Sequence, residues 1–215
     1  MTGLTNLKYY YFDLGTQGRG EPARLLLHDA DVSFEDIRIE FKDWLAFKNE
    51  IIEDYPAAAL PLVKTGDGEY YGLTAPLMRF LGQQLGYDAV DKKKSHFVDQ
   101  TADFVSDWFQ DCIRIFFQPD QQEVHDKNLK GIHCGRMERM YGRYNEGPYL
   151  LGEQITYADF MVYAAMRQDK VLGSLLEKDM PNLFKFVQAF ENRKNLKEYI
   201  TSLPTDEPQI VIPVE

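Results

Sequence analysis

The sequence predicts a small α/β unit followed by an all-helical one. Three observations carry that expectation. Over residues 1–84, short Tyr-, Phe-, Ile- and Val-rich runs alternate with helical patterns. Beyond Gly86-Tyr87-Asp88-Ala89-Val90, the spacing of apolar residues stays helical almost to the tail. With 215 residues, 44% of them apolar, the chain has enough material for one domain or two small ones with a true core.

The elements follow in order. Residues 7–14 (LKYYYFDL) are aromatic-rich and read as a strand, which Gly15, Gly18 and Gly20 end. Residues 21–29 follow as a helix, with Pro22 in the first turn and Ala23, Leu26 and Leu27 on one face. SFEDIRIE (33–40) reads as a second strand and residues 42–53 as a helix. LPLVK (60–64), TGDG and EYYG (69–72) read as strand, tight turn and strand. TAPLMRFLGQQL (74–85) is a helix with Thr74 as its expected N-cap. The order β-α-β-α-β-β-α makes the first strand pair parallel and the last antiparallel, in one mixed four-stranded sheet.

Residues 86–90 read as a linker. Phe97, Thr101, Phe104, Val105, Trp108 and Ile115 then make one helical stripe. A second long helix is expected over residues 121–145, closed by Asn145-Glu146-Gly147-Pro148. Thr156 and Asp159 have capping-box spacing, flanked by Ile155 and Phe160 as a hydrophobic staple. Pro181 opens a further helix, residues 196–202 a short last one, and the tail from Pro204 reads as irregular. The expected boundaries are 1–84 for the α/β domain, 85–92 for a linker and 93–215 for the helical domain.

Composition excludes several function classes. The net charge of −10 argues against nucleic acid and anionic membrane as partners. The start of the chain has no basic stretch followed by an apolar one, and no apolar run approaches 18 residues. The two cysteines, Cys112 and Cys134, form no CxxC and have no histidine beside them at metal-ligand spacing. They are expected to be reduced thiols of a cytoplasmic protein, with no metal.

Three stretches carry chemistry. A proline at the head of a strand, Pro61, leaves the backbone of Leu60 able to pair an extended ligand if the bond is cis; the residues alone leave cis and trans open. Thr74 marks a helix N-terminus, a natural place for a carboxylate. The run Tyr9-Tyr10-Tyr11 ends a strand beside a glycine-rich turn, where a phenol can hydrogen-bond a thiolate. Strand side chains alternate between faces, so only one of the three suits that job.

These pieces together resemble a family. YFDL followed by GRGEPARLLL, Asp43-Trp44 with Lys48, LPLV, DGEYYGLTAPLMRFL and ITYADF are similar to the cytosolic glutathione transferases. The sigma, mu and pi groups are nearest, and the resemblance runs over almost the whole chain. It implies a thioredoxin-like N-terminal domain, an all-α C-terminal domain and a homodimer that binds glutathione as co-substrate. Tyr11 then matches the catalytic tyrosine and Arg19 an arginine that polarises the tyrosine–thiolate pair. Trp44 and Lys48 match residues that grip the glycine carboxylate. Leu60 matches the backbone clamp on the cysteinyl part, and the resemblance implies a cis bond at Pro61. Leu73 and Thr74 stand at the γ-glutamyl end, and Asp107 matches an acid that reaches the partner subunit's ligand.

Departures from the pattern open alternatives. Leu73 replaces a glutamine, and Ala59 stands where a polar residue is common. Two extra residues between Tyr11 and Arg19 make Thr16 a rival hydroxyl. Leu14, Gly15, Phe104 and Trp108 are the expected lining of an apolar pocket for the second substrate, with Ile210 in a possible lid. The expected activity is conjugation of the glutathione thiolate to hydrophobic electrophiles. The alternatives are a prostaglandin synthase-like isomerase, a peroxidase or dehalogenase, or a non-catalytic protein of the same fold.

Overall fold

The computed structural model describes residues 4–144, 146–175 and 177–204. Strand β1 (Leu7–Phe12) lies inside a four-stranded sheet of order β2-β1-β3-β4. It pairs in parallel with β2 (Phe34–Ile39) and antiparallel with β3 (Leu62–Lys64), which pairs antiparallel with β4 (Tyr70–Gly72). The strands are shorter than the aromatic runs suggest. β1 stops at Phe12 because the chain then turns: Leu14 N–H bonds the Phe12 carbonyl at 2.9 Å, and Gly15 adopts φ +61°.

Helices α1 (Glu21–Asp29) and α3 (Thr74–Leu85) have the expected bounds. Helix α2 is the shorter segment Trp44–Ile51, entered through a 3₁₀ turn at Phe41–Asp43. The N-cap position of α3 is Leu73, not Thr74, which is the first helical residue. Gly86 closes α3 in the left-handed conformation at φ +83°.

Helix α4 (Lys92–Phe117) begins five residues before the expected apolar stripe, because the Asp91 carboxylate accepts from the N–H groups of Lys93 and Lys94. The expected second long helix is broken into segments. A 3₁₀ turn, α5 (Gln122–Val124), a π turn at His125–Leu129 and α6 (Lys130–Tyr141) follow one another. Helices α7 (Tyr157–Gln168), α8 (Pro181–Glu191) and α9 (Lys197–Ser202) complete the set. The capping box forms in full: Asp159 accepts from the Thr156 N–H at 2.7 Å, and the Thr156 side chain accepts from the N3 backbone.

One continuous apolar cluster joins the two halves, from Leu26, Met78 and Leu81 to Val98, Val105 and Phe160. Polar contacts cross the same seam. The Arg193 guanidinium donates twice to Asp29 of α1, at 2.7 and 2.6 Å, and Tyr87 O–H donates to it at 2.9 Å.

Glu21, only 1% exposed, is held by Tyr199 O–H at 2.7 Å and by Arg24 at 3.4 Å. Burial outweighs this support and raises its carboxyl to about 7. Arg24 moves upward instead, because Tyr9, Asp36 and Glu21 outweigh the burial that opposes its charge. A carboxyl with a raised folded-state pKa holds its proton in the native protein while the unfolded chain releases it. Stability therefore falls as pH rises from about 4.5 towards 7. Glu21→Gln should flatten that slope, which in the wild type amounts to roughly 2–3 kcal/mol. Urea midpoints at pH 5 and pH 7.5 check this; equal slopes in both proteins would contradict it.

Candidate active site

The sheet topology gathers the expected residues at one end. β1 and β2 run in parallel, so Phe12 and Ile39 finish together, and the 3₁₀ turn leading to Trp44 leaves from that end. β3 runs the other way with Leu62 opposite Tyr10, so Leu60 and Pro61 precede it at the same end. Gly72 of β4 lies opposite Leu62, so Leu73 and Thr74 arrive there too. The Leu60–Pro61 bond is cis, and Leu73 N–H donates to the Pro61 carbonyl at 3.1 Å.

The three tyrosines divide as alternation requires. Tyr9 is fully buried and donates to the Gly20 carbonyl at 2.7 Å. Tyr10 points to the opposite face and stacks on Phe47 with centroids 5.1 Å apart. Tyr11 is different. Its oxygen accepts from the Arg19 N–H at 2.8 Å, and among the described residues its own O–H meets no acceptor. Burial raises the phenol above its ordinary value, against the opposing pull of the Arg19 bond and the Arg19 and Arg24 charges. The group is therefore a neutral phenol at physiological pH. It is fitted to donate a hydrogen bond rather than to act as a base.

The glycines of Gly18-Arg19-Gly20 make this approach possible. A Cβ at Gly18 would sit 2.6 Å from the Tyr11 hydroxyl oxygen, and one at Gly20 2.4 Å from its ring. Gly18 also has φ +76°, a region that favours glycine. The helical half fixes the loop from behind: Gly18 N–H donates to Gln168 Oε1 at 2.8 Å, and Arg38 donates to the Gly15 carbonyl at 2.5 Å from the sheet side. Gln168 is a contact that no feature of the sequence announces, because it lies 150 positions from Gly18.

The Arg19 guanidinium does not touch the phenol. It bonds Gln110 Oε1 at 3.0 Å and the Ser106 carbonyl at 3.5 Å, both on α4. Its Nε is buried with no partner among the described residues. The direct contact to Tyr11 is made by the Arg19 backbone, and the side chain acts on the phenol through its charge.

Thr74 is buried at the head of α3, and no side chain of the described residues caps that helix. Its first N–H groups are thus left for a ligand. Leu73 before it has φ +67° and is 46% exposed, an unusual backbone for a branched residue. Trp44 opens α2 with its ring edge-on to Phe12, centroids 5.4 Å apart, and Lys48 follows one turn later, half-buried.

Comparison with known proteins completes the picture. Residues 106–203 match the family model "Glutathione S-transferase, C-terminal domain". Glutathione S-transferase 1 of Ascaris suum is 28% identical over 94% of this chain and 98% of its own length. Glutathione S-transferase P of Caenorhabditis elegans is 26% identical over 95% and 96%. The pi-class glutathione S-transferase of Onchocerca volvulus superposes with a TM-score of 0.81 at 23% identity, covering 92% of this chain and 93% of that one. The chain is thus similar to glutathione S-transferases over almost its whole length, and the C-terminal family model matches within its helical half.

One site expectation needs correction. Trp108 does not line an open pocket. It is fully buried, donates from Nε1 to Asp169 at 2.7 Å and stacks on His133 at 5.1 Å. The stripe Phe97–Thr101–Val105–Trp108 turns it into the core, whereas Phe104, half-buried beneath the Arg136 guanidinium at 4.3 Å, lies to one side. The Thr16 hydroxyl, the alternative partner for the thiolate, accepts from Arg167 of α7 at 3.2 Å, on the seam between the halves. Leu14 and Gly15 remain partly accessible in the loop that carries Tyr11. Ile210 lies outside the described residues. Asp107 is exposed on α4. No helix among the described residues is long and apolar enough to cross a membrane.

Proposed function

We propose that this chain is a glutathione transferase whose Tyr11 hydroxyl stabilises the glutathione thiolate for attack on a hydrophobic electrophile. The observation that carries this reading is the Tyr11 phenol, held by the Arg19 N–H, neutral, and without an acceptor for its own O–H among the described residues. A sulfur placed there receives the O–H. The thiol proton leaves to solvent, and the sulfur lone pair forms the new bond to carbon as the leaving group departs.

The surroundings supply the rest of the grip. The Leu60 backbone, beside β3, pairs with the cysteinyl part of the tripeptide. The uncapped start of α3 at Thr74 takes the γ-glutamyl carboxylate, and Trp44 and Lys48 take the glycine carboxylate. Leu14, Gly15 and Phe104 form the apolar side towards the electrophile. The loss of a polar side chain at Leu73 leaves the γ-glutamyl end to the α3 N–H groups and Thr74.

The test is glutathione conjugation to an activated aryl halide. We expect turnover in the wild type and turnover within about threefold of it in Thr16→Ala, since that hydroxyl faces Arg167. No conjugation by the wild type overturns the reading. Activity lost only in Thr16→Ala moves the thiolate partner from Tyr11 to Thr16.

We also propose a homodimer in which Asp107 reaches the partner subunit's ligand, in keeping with its exposure on α4. Sedimentation at micromolar concentration should give twice the chain mass of 25.0 kDa. A monomer removes that role from Asp107.

A further inference from the structure

The turn that supplies the Tyr11 partner is held from outside itself. Gly18–Gly20 is a 3₁₀ turn with no side-chain hydrogen bond at its N-cap position. A helical turn begins with N–H groups that have no partner inside it. The first two here are those of Gly18 and Arg19. Gly18 N–H donates to Gln168 Oε1 at 2.8 Å, and Arg19 N–H donates to the Tyr11 oxygen at 2.8 Å. The two donors sit on consecutive peptide groups joined through the Gly18 Cα, so a bond on one limits the direction of the other. Gly18, at φ +76°, imposes little direction of its own.

Gln168 is itself well anchored. It is the last residue of α7, and Asp169 follows as the C-cap, with its N–H bonded to the Ala165 carbonyl. The Asp169 carboxylate accepts from Trp108 Nε1 of α4 at 2.7 Å and lies 2.7 Å from His125 Nε2. All three side chains are buried. This network ties the end of α7 to α4, the helix that meets the Arg19 guanidinium through Ser106 and Gln110. The Arg19–Gln110 contact is exposed, where water competes for both partners, whereas the Gly18–Gln168 bond is partly buried. Of the two side chains that reach the turn from the helical half, Gln168 therefore has the firmer hold.

We propose that Gln168 is a positioning residue for thiolate formation: it caps the Gly18–Gly20 turn from the other half of the chain and so aims the Arg19 N–H at the Tyr11 oxygen. With one side of that oxygen occupied by a fixed donor, the phenol O–H is left for the sulfur. Gln168 acts through Gly18 and Arg19 and not on the sulfur itself. The inference rests on the reading of Tyr11 as the thiolate's partner, and it extends that reading to a side chain of the helical half. Loss of the amide oxygen leaves the grips at Leu60, Thr74, Trp44 and Lys48 in place. Its effect therefore falls on ionisation and turnover, not on capture of the tripeptide.

The test places Gln168→Met, similar in length but with no good acceptor for the Gly18 N–H, in two backgrounds. In the otherwise unchanged chain it should lower kcat for glutathione conjugation to an activated aryl halide about 3- to 10-fold, the loss expected for one neutral hydrogen bond. KM for glutathione should stay within about twofold. The midpoint of bound-thiol ionisation should rise by about 0.5–1 pH unit. In Tyr11→Phe the same substitution should change kcat less than about twofold, because its effect passes through the phenol. Hydrogen exchange on the unmutated protein guards against a variant that fails to fold: the Gly18 amide should exchange at least about 10-fold more slowly than in an unstructured chain. Unchanged kcat in Gln168→Met, a raised KM with a fixed midpoint, equal losses in both backgrounds, or an unprotected Gly18 amide would each overturn the proposal. Full turnover in Tyr11→Phe alone would remove the reading beneath it, and the proposal with it.

Discussion

Tyr11→Phe should lower conjugation turnover about 10- to 150-fold. A hydrogen bond to a charged group contributes about 1.5–3 kcal/mol, and each 1.36 kcal/mol is a factor of ten in rate. Here the charged group is the thiolate, which the phenol favours over the thiol. The substitution keeps the ring that packs against Gly18 and Gly20, so the loop geometry should persist. It removes only the oxygen that the Arg19 N–H bonds. Tyr9→Phe is the matched control. Its hydroxyl serves the Gly20 carbonyl inside the core, so its loss should cost stability and leave most turnover. Steady-state kinetics on the two variants separates the roles. Equal turnover losses in both would show that the tyrosines act through packing, not through the sulfur.

Asp159→Ala should destabilise the protein by about 3–5 kcal/mol, because it leaves several buried donors without an acceptor. Asp159 is fully buried. Its Oδ1 accepts from Tyr141 O–H and Leu150 N–H, both at 2.9 Å. Its Oδ2 accepts from the Thr156 N–H at 2.7 Å and Oγ1 at 2.9 Å. One side chain thus fixes the start of α7, the end of α6 and the turn at Leu150. For a chain of this size the loss corresponds to a fall in Tm of roughly 6–20 °C. Calorimetry or urea unfolding measures it. A loss below about 1 kcal/mol would show that water replaces the carboxylate at those donors.

The depth of legibility differed along the chain, for physical reasons. Helices α1 and α3 were readable to the residue because their limits are local: Pro22 in a first turn, and Gly86 in a left-handed cap. The capping box was readable for the same reason, since both partners lie within four positions. The break in the helix after α4 was not. Nothing in HDKNL signals a π turn, and the sequence spacing of Trp108, His125 and Asp169 hides their meeting. The Tyr11 reading was legible as a strand-end phenol before a glycine-rich turn. Its geometry was not, because the glycines, Gln168 and Arg19 act through approaches between distant segments. Trp108 was misplaced because a helix stripe shows which residues share a face but not which of them lies deepest.

The most direct measurement is the ionisation of glutathione bound to the protein, followed by ultraviolet thiolate absorbance against pH. The account predicts a midpoint about two pH units below the ordinary thiol value in the wild type, moving back up in Tyr11→Phe. A bound sulfur that stays protonated at neutral pH, or a midpoint unaffected by removing the Tyr11 hydroxyl, would contradict it.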